Sequence, residues 1–243
     1  MEQSLVIDLI HRTKGVLNTI NKLTLLSREK FGDKHFREFF YSAIKRDIEK
    51  HNLLLNTYLN YIESTTPIPK RDTVTKLIEG VLKRYQVRLE EKEIKLSIRW
   101  EKDLPETVVP DEQLKFIFNS LLQFVLVWMP SGGNLEFLSR SFELPEAPGE
   151  GEGALKKGGK YIDIRMNIRG LRIPAAASEK GSGPSPLEEE ISSDPVCRLV
   201  DRIVKQNQGI IKFESGARES QYTISVKLPV ERRRVVYYHL TGE

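Results

Sequence analysis

Two long amphipathic runs at the start of the chain constrain its fold most, because neither can cover its own apolar stripe. In residues 4–30 the positions Val6, Leu9, Thr13, Val16, Leu17, Ile20 and Leu23 recur at intervals of three and four, which places them on one helical face. "FGDKHF" interrupts this rhythm: Gly32 suits a helix end and Asp33 suits the cap of the next helix. A second run follows through Phe36, Phe40, Ile44, Ile48, Leu55, Leu59 and Ile62 and stops at the prolines of "STTPIP". Two such helices with a short link form an antiparallel hairpin. One hairpin cannot bury both stripes, so a second copy of the chain is expected to complete a four-helix bundle, making a homodimer.

Beyond residue 70 the pattern changes. Residues 73–86 read as helix, and "IKLSIRW" alternates Ile94, Leu96, Ile98 and Trp100 with the period of a half-buried strand. Residues 111–128 form a strongly apolar helix, "NLEFLS" and "YIDIRMN" read as strands, 195–206 as a helix, and "GIIKFES" with "QYTISVKLP" as a hairpin. Helices alternating with strand pairs predict an α+β sandwich. Residues 143–160 and 175–194 are rich in Gly, Pro, Ser and Glu; such composition buries too little apolar surface to offset its ordering entropy, and both stretches are expected to be mobile.

Composition narrows the function. Of the 243 residues, 39% are hydrophobic and 30% charged, the balance of a soluble protein. No apolar run approaches the roughly 20 residues of a membrane span, and the N-terminal residues lack the pattern of a secretory signal. The single cysteine, Cys197, excludes an internal disulfide and a cysteine-rich metal site, and reads as a small buried hydrophobe. A cytoplasmic protein is expected, with no membrane partner. The net charge of +4 is scattered, and the short run "ERRRVV" at 231–235 is no nucleic-acid footprint. His35, His51 and His239 have no metal-ligand spacing and read as structural or surface residues. At helical spacing, Phe116, Phe118, Phe124, Trp128 and Met129 read as core packing.

Three segments carry a resemblance. "HRTKGVLNTI" is similar to the phosphoacceptor stretch of bacterial sensor histidine kinases, with His11 on the histidine and Leu17 on the leucine. "PDEQLKFIFNSLLQFVLVWMPSGG" is similar to the asparagine-box helix of that family's GHKL-type ATP-binding domain, and "RLVDRIVKQNQGIIKFES" to the helix and hairpin that close the domain. The chain thus resembles a sensor histidine kinase core from about residue 4 to 229, with no sensor region in front. The resemblance implies a hairpin domain for dimerisation and histidine phosphotransfer over 1–66, a degenerate GHKL ATPase-like domain over 67–230, and a tail over 231–243.

The departures from the family fall on the nucleotide chemistry. The magnesium-binding asparagine position is Phe124, with Ser120 one turn earlier, and Asn119 is one position out of register. "IRGLRIP" resembles the adenine-reading loop, with Gly170 at its tight point, but Ile168 stands for the aspartate and Arg172 for the second glycine. The phosphate loop reads "SSDPVC", with Asp194 and Val196 where glycines belong. Glycine there lets backbone N–H groups approach phosphates; Pro195 removes a donor and Asp194 repels a triphosphate. In the phosphoacceptor stretch Arg12 replaces the acid, Gly15 the amide or hydroxyl residue and Val16 the proline.

His11 is the one candidate for covalent chemistry, since an exposed imidazole can carry a phosphoryl group. Arg12 cannot serve as a general base, but its guanidinium and Lys14 favour a phosphoryl anion. The other reading of His11 is an exposed polar helix position without chemistry. The resemblance implies a two-component signalling protein that binds no ATP or magnesium and, similar to ChpT-type histidine phosphotransferases, passes phosphoryl groups through His11 to and from response-regulator receiver domains. Two alternatives are an active kinase with an unorthodox ATP–magnesium site and a non-enzymatic dimeric scaffold.

Overall fold

Asp33 caps the second helix through Oδ1, which accepts from the backbone N–H of His35 at 2.8 Å and of Phe36 at 3.4 Å. The computed structural model describes residues 2–64, 72–144, 155, 158–170, 194–215 and 221–230. Helix α1 (Glu2–Lys30) and helix α2 (Lys34–Ser64) form the hairpin expected from their rhythm. Their turn is fastened by the Arg37 guanidinium, which donates to the Phe31 carbonyl at 3.2 Å, and by the Phe31 ring set edge-on to Phe40.

The remainder is a mixed helix-and-sheet unit. Helices α3 (Val74–Arg84) and α4 (Gln86–Glu91) precede strand β1 (Lys95–Arg99), then come α5 (Asp111–Trp128), β2 (Asn134–Glu143), β3 (Lys160–Arg169), α6 (Pro195–Gln206), β4 (Ile210–Ser215) and β5 (Gln221–Pro229). The five strands lie in the order β1-β2-β3-β5-β4. β1 runs parallel to β2, and the other pairs are antiparallel. On β3, Ile162, Ile164, Met166 and Ile168 join the buried core with α3, α5 and α6. Alternate residues Asp163, Arg165 and Asn167 take the opposite face, as the two-residue period requires.

That outer face holds a buried charge. Asp163 is fully buried, and it accepts from Arg140 at 3.1 Å, Arg165 at 2.8 Å and the Ser225 hydroxyl at 2.7 Å. Arg140 is its cross-strand partner on β2. The arginines offset a desolvation that the carboxylate could not sustain alone. Asp163→Asn removes the charge and leaves one neutral carbonyl oxygen for the two guanidiniums and the Ser225 hydroxyl; a urea melt is expected to show a loss of about 2 kcal/mol.

Two expectations need correction. The helix over 73–86 is two helices, because the chain turns at Tyr85, and α4 extends it to Glu91. β1 is not half-buried: all five of its residues are exposed, Leu96 and Ile98 at 38% each. It is an edge strand with a neighbour on one side only, and its apolar residues stay exposed. Just past it, the Trp100 indole donates to Glu79 at 2.8 Å.

Two further ties reach across the sequence. The Lys92 ammonium donates to the Leu126 and Met129 carbonyls at 2.6 and 2.9 Å, at the C-terminus of α5, where a cation complements the helix dipole. The Thr107 hydroxyl donates to the Pro229 carbonyl at 2.7 Å, and Thr107 bridges to Val230. Of the sequence-based expectations, Arg172, His239, the 231–243 tail and most of the stretches 143–160 and 175–194 lie outside the described residues. Among the described residues no helix is long and apolar enough to cross a membrane.

Candidate functional site

Helix α5 carries Ser120 and Phe124, which the sequence resemblance aligns with magnesium-binding positions. Ser120 and Phe124 are one turn apart, 0% and 3% exposed, and the Ser120 hydroxyl has no hydrogen-bond partner among the described residues. Asn119 faces elsewhere, accepting from the Tyr85 hydroxyl at 2.8 Å. Phe116, Phe118 and Met129 are core residues. Trp128 is not fully core: it is half-buried and lies under the Lys50 ammonium, 3.8 Å from the ring centre.

At the start of α6 the N-terminal amides already have an acceptor. Asp194 Oδ1 accepts from the N–H of Val196 at 2.8 Å and of Cys197 at 3.2 Å. Those are the donors that a phosphate would need at a helix N-terminus. Burial raises the Asp194 carboxyl above the usual carboxylate range, against the lowering effect of these two bonds. Pro195 occupies the first turn, where its missing N–H is no loss to the helix but is one donor fewer for an anion. Cys197 is buried, and burial pushes its thiol well above its ordinary value.

Ile168 and Gly170, which the sequence resemblance places in an adenine-reading loop, lie at the end of β3. Ile168 is 1% exposed on β3, between Leu135 and Tyr222 of the neighbouring strands. Gly170 holds a left-handed backbone with φ +91°, and its missing Cβ would stand 3.5 Å from the Gly133 Cα. Glycine is required there by the backbone turn, whether or not a ligand binds.

Phe124 and Asp194–Val196 meet the hairpin across a cavity of about 550 Å³, whose other wall includes Arg12, Val16, Lys50 and His51. His51 is half-buried, with Nδ1 unpartnered among the described residues. His11 is not among the lining residues; it is exposed on α1. One turn before it, Asp8 accepts from Arg12 at 3.2 Å on both oxygens and from Arg198 of α6 at 2.7 Å. This pairing ties α6 to the hairpin beside His11. It also partly neutralises the Arg12 guanidinium. The sequence reading missed the pairing of Asp8 with Arg198, which joins residues 190 positions apart and carries no local signal.

No protein-family model matches the chain, and no curated protein matches it. Solved structures do. The Acinetobacter baumannii histidine kinase AdeS aligns over 91% of this chain and 98% of its own, at 12% identity and a TM-score of 0.54. Histidine kinase ThkA, in its complex with response regulator protein TrrA, aligns over 95% of this chain and 63% of its own, at 13% identity and a TM-score of 0.58. The chain has the histidine kinase fold. At this identity the likeness is one of fold, and the chemistry rests on the side chains. Phe124, Ile168 and the self-capping Asp194 are the residues that the sequence resemblance aligns with magnesium, adenine and phosphate positions.

Proposed function

We propose that the protein is a dimeric two-component signalling protein that has lost ATP binding and relays phosphoryl groups through His11 to and from response-regulator receiver domains. The observation that carries the loss of ATP is Asp194 seated on the N-terminal amides of α6. A triphosphate would have to displace a carboxylate that is covalently part of the site, and it would find Phe124 and Ile168 in place of polar groups. The receiver partner is argued from the fold: ThkA, which shares it, is found with a response regulator. The dimer is argued from the apolar positions that the hairpin leaves exposed, among them Leu17, Leu59 and Ile62.

In the relay, a His11 nitrogen attacks the phosphorus of a receiver aspartyl phosphate. The phosphorus–nitrogen bond forms as the aspartyl phosphorus–oxygen bond breaks, the carboxylate leaves with the electron pair, and the imidazole releases its proton to solvent. No metal or nucleotide of this chain enters the balance. The direct test is incubation with phosphorylated receiver domains, following acid-labile, alkali-stable label onto the protein.

A thermal-shift titration with millimolar ATP and magnesium is expected to leave the melting temperature unchanged, whereas a ligand at 100 times its dissociation constant stabilises by roughly 2.7 kcal/mol. A magnesium-dependent rise would replace the relay with an active kinase. Phe124→Asn alone is expected to restore no binding, because Asp194 and Ile168 remain.

A further inference from the structure

Strand β1 leaves one of its two hydrogen-bonding edges open beside an apolar groove. The Lys95 N–H donates to the Gly133 carbonyl at 2.9 Å, at the start of the parallel pairing with β2. Backbone groups alternate sides along a strand, so Lys95, Ser97 and Arg99 face β2, and the N–H and C=O of Leu96 and Ile98 point away from it. None of those outward groups has a partner among the described residues. The side chains of the same two residues are each 38% exposed. With Leu82 of α3, Leu89 of α4 and Ile94 they line a cavity of about 360 Å³.

One occupant can use both features. Only an extended chain matches backbone groups set two residues apart while sending alternate side chains into the groove and away from it. A second copy of β1 fits poorly. Antiparallel self-pairing about Ser97 sets Lys95 opposite Arg99 on both sides, and like charges directly opposite are destabilising. The charges describe a different strand. Opposite Leu96 and Ile98 its residues enter the groove, whose wall holds Glu79 and Glu90 against one cation, Lys83; apolar residues suit that face and acids do not. On the other face stand Lys95 and Arg99. Arg99 pairs with Glu136 of β2, and Lys95 makes no ion pair among the described residues, so an acidic residue opposite Lys95 completes it.

We infer that the β1 edge is a docking site for an extended segment of a partner protein in which apolar and acidic residues alternate. The segment adds a strand beyond β1, with its apolar side chains over Leu82 and Leu89 and its acidic ones beside Lys95. This surface does not involve His11, and it stands or falls apart from the relay.

The probe is a capped peptide of alternating valine and glutamate, titrated into the whole chain and read by amide hydrogen exchange. Without peptide, the Leu96 and Ile98 amides are expected to exchange fast, and the Ser97 amide, already in the ladder with β2, more slowly. Saturating peptide is expected to slow Leu96 and Ile98 by at least about tenfold and to leave Ser97 unchanged. The indole resonance of Trp100, which follows β1 and donates to Glu79 in the groove wall, is expected to shift with the same dissociation constant. Ile98→Pro removes an outward donor and leaves the pairing with β2 intact, and is expected to weaken binding by about tenfold. Lys95→Glu is expected to weaken the valine–glutamate peptide severalfold and to favour a valine–lysine peptide, which the parent protein should bind less well. Circular dichroism checks that each variant is folded. Equal binding of the two peptides to the parent, or of the glutamate peptide to Ile98→Pro and the parent, would overturn the proposal. So would slow exchange at Leu96 and Ile98 in the peptide-free protein, because the chain itself or a second copy would then already cover the edge.

Discussion

His11→Ala is expected to abolish label transfer from a phosphorylated receiver, with no residual labelling above about one part in a hundred. A covalent relay has no route around its nucleophile, so the loss should be of the whole reaction and not of a fraction. The substitution is informative because its structural effect is small: His11 is exposed, and an exposed helix position changes stability by no more than about 0.5 kcal/mol. The dimer should be intact by light scattering and the helix content unchanged by circular dichroism. His51→Ala is the matched control, since His51 is half-buried against the cavity and should carry no label. Label that persists in His11→Ala, or that moves with His51, would end the relay as described. Receivers that bind His11→Ala and the parent equally, with neither labelled, would establish the scaffold in its place.

Leu55→Asp is expected to convert the dimer to a monomer at micromolar concentration. Ile10, Leu17, Ile48, Leu55, Leu59 and Ile62 are each 37–64% exposed on the hairpin, a concentration of apolar surface that a soluble chain ordinarily covers. With a second copy against it, Leu55 would lie in the bundle interior. An uncompensated buried charge costs about 3–5 kcal/mol, which weakens association by roughly a hundred- to a thousandfold or more. Ile20, on the apolar stripe of α1, is a poorer choice because it is already half-buried, so a charge there would also disturb the hairpin itself. Light scattering on the unmodified protein settles the premise: a monomer at micromolar concentration means that the hairpin's apolar face meets something other than its copy.

Element boundaries were legible wherever a local chemical event marks them. Asp33 and Asp194 cap α2 and α6 with their own carboxylates, Pro195 opens α6, and the alternation of Ile162, Ile164, Met166 and Ile168 gives β3 directly. The break at Tyr85 carries no Gly or Pro, and its cause is tertiary: the hydroxyl is held by Asn119 and Gln123 of α5. The exposure of β1 is equally invisible, because alternation reports what a strand could bury and not whether a layer reaches it. At the candidate site, the burial of Phe124 and Ile168 was readable from residue type. The tie between α1 and α6 was not, since Asp8 and Arg198 are 190 positions apart.

The placement of β5 between β3 and β4 has a consequence for how the chain assembles during synthesis. The hairpin closes through local contacts and can form as soon as it emerges from the ribosome. The sheet cannot: β4 has no partner until residues 221–229 are made, β3 lacks one of its two, and Thr107 waits for Pro229, 122 positions later. Pairings this distant are slow to form because the loop-closure entropy precedes the contacts that offset it. A nascent chain therefore carries a finished hairpin with its apolar face exposed alongside an unfinished sheet with open strand edges. Such edges are a template for wrong pairing, and a chain that stops short of residue 229 leaves them permanently open.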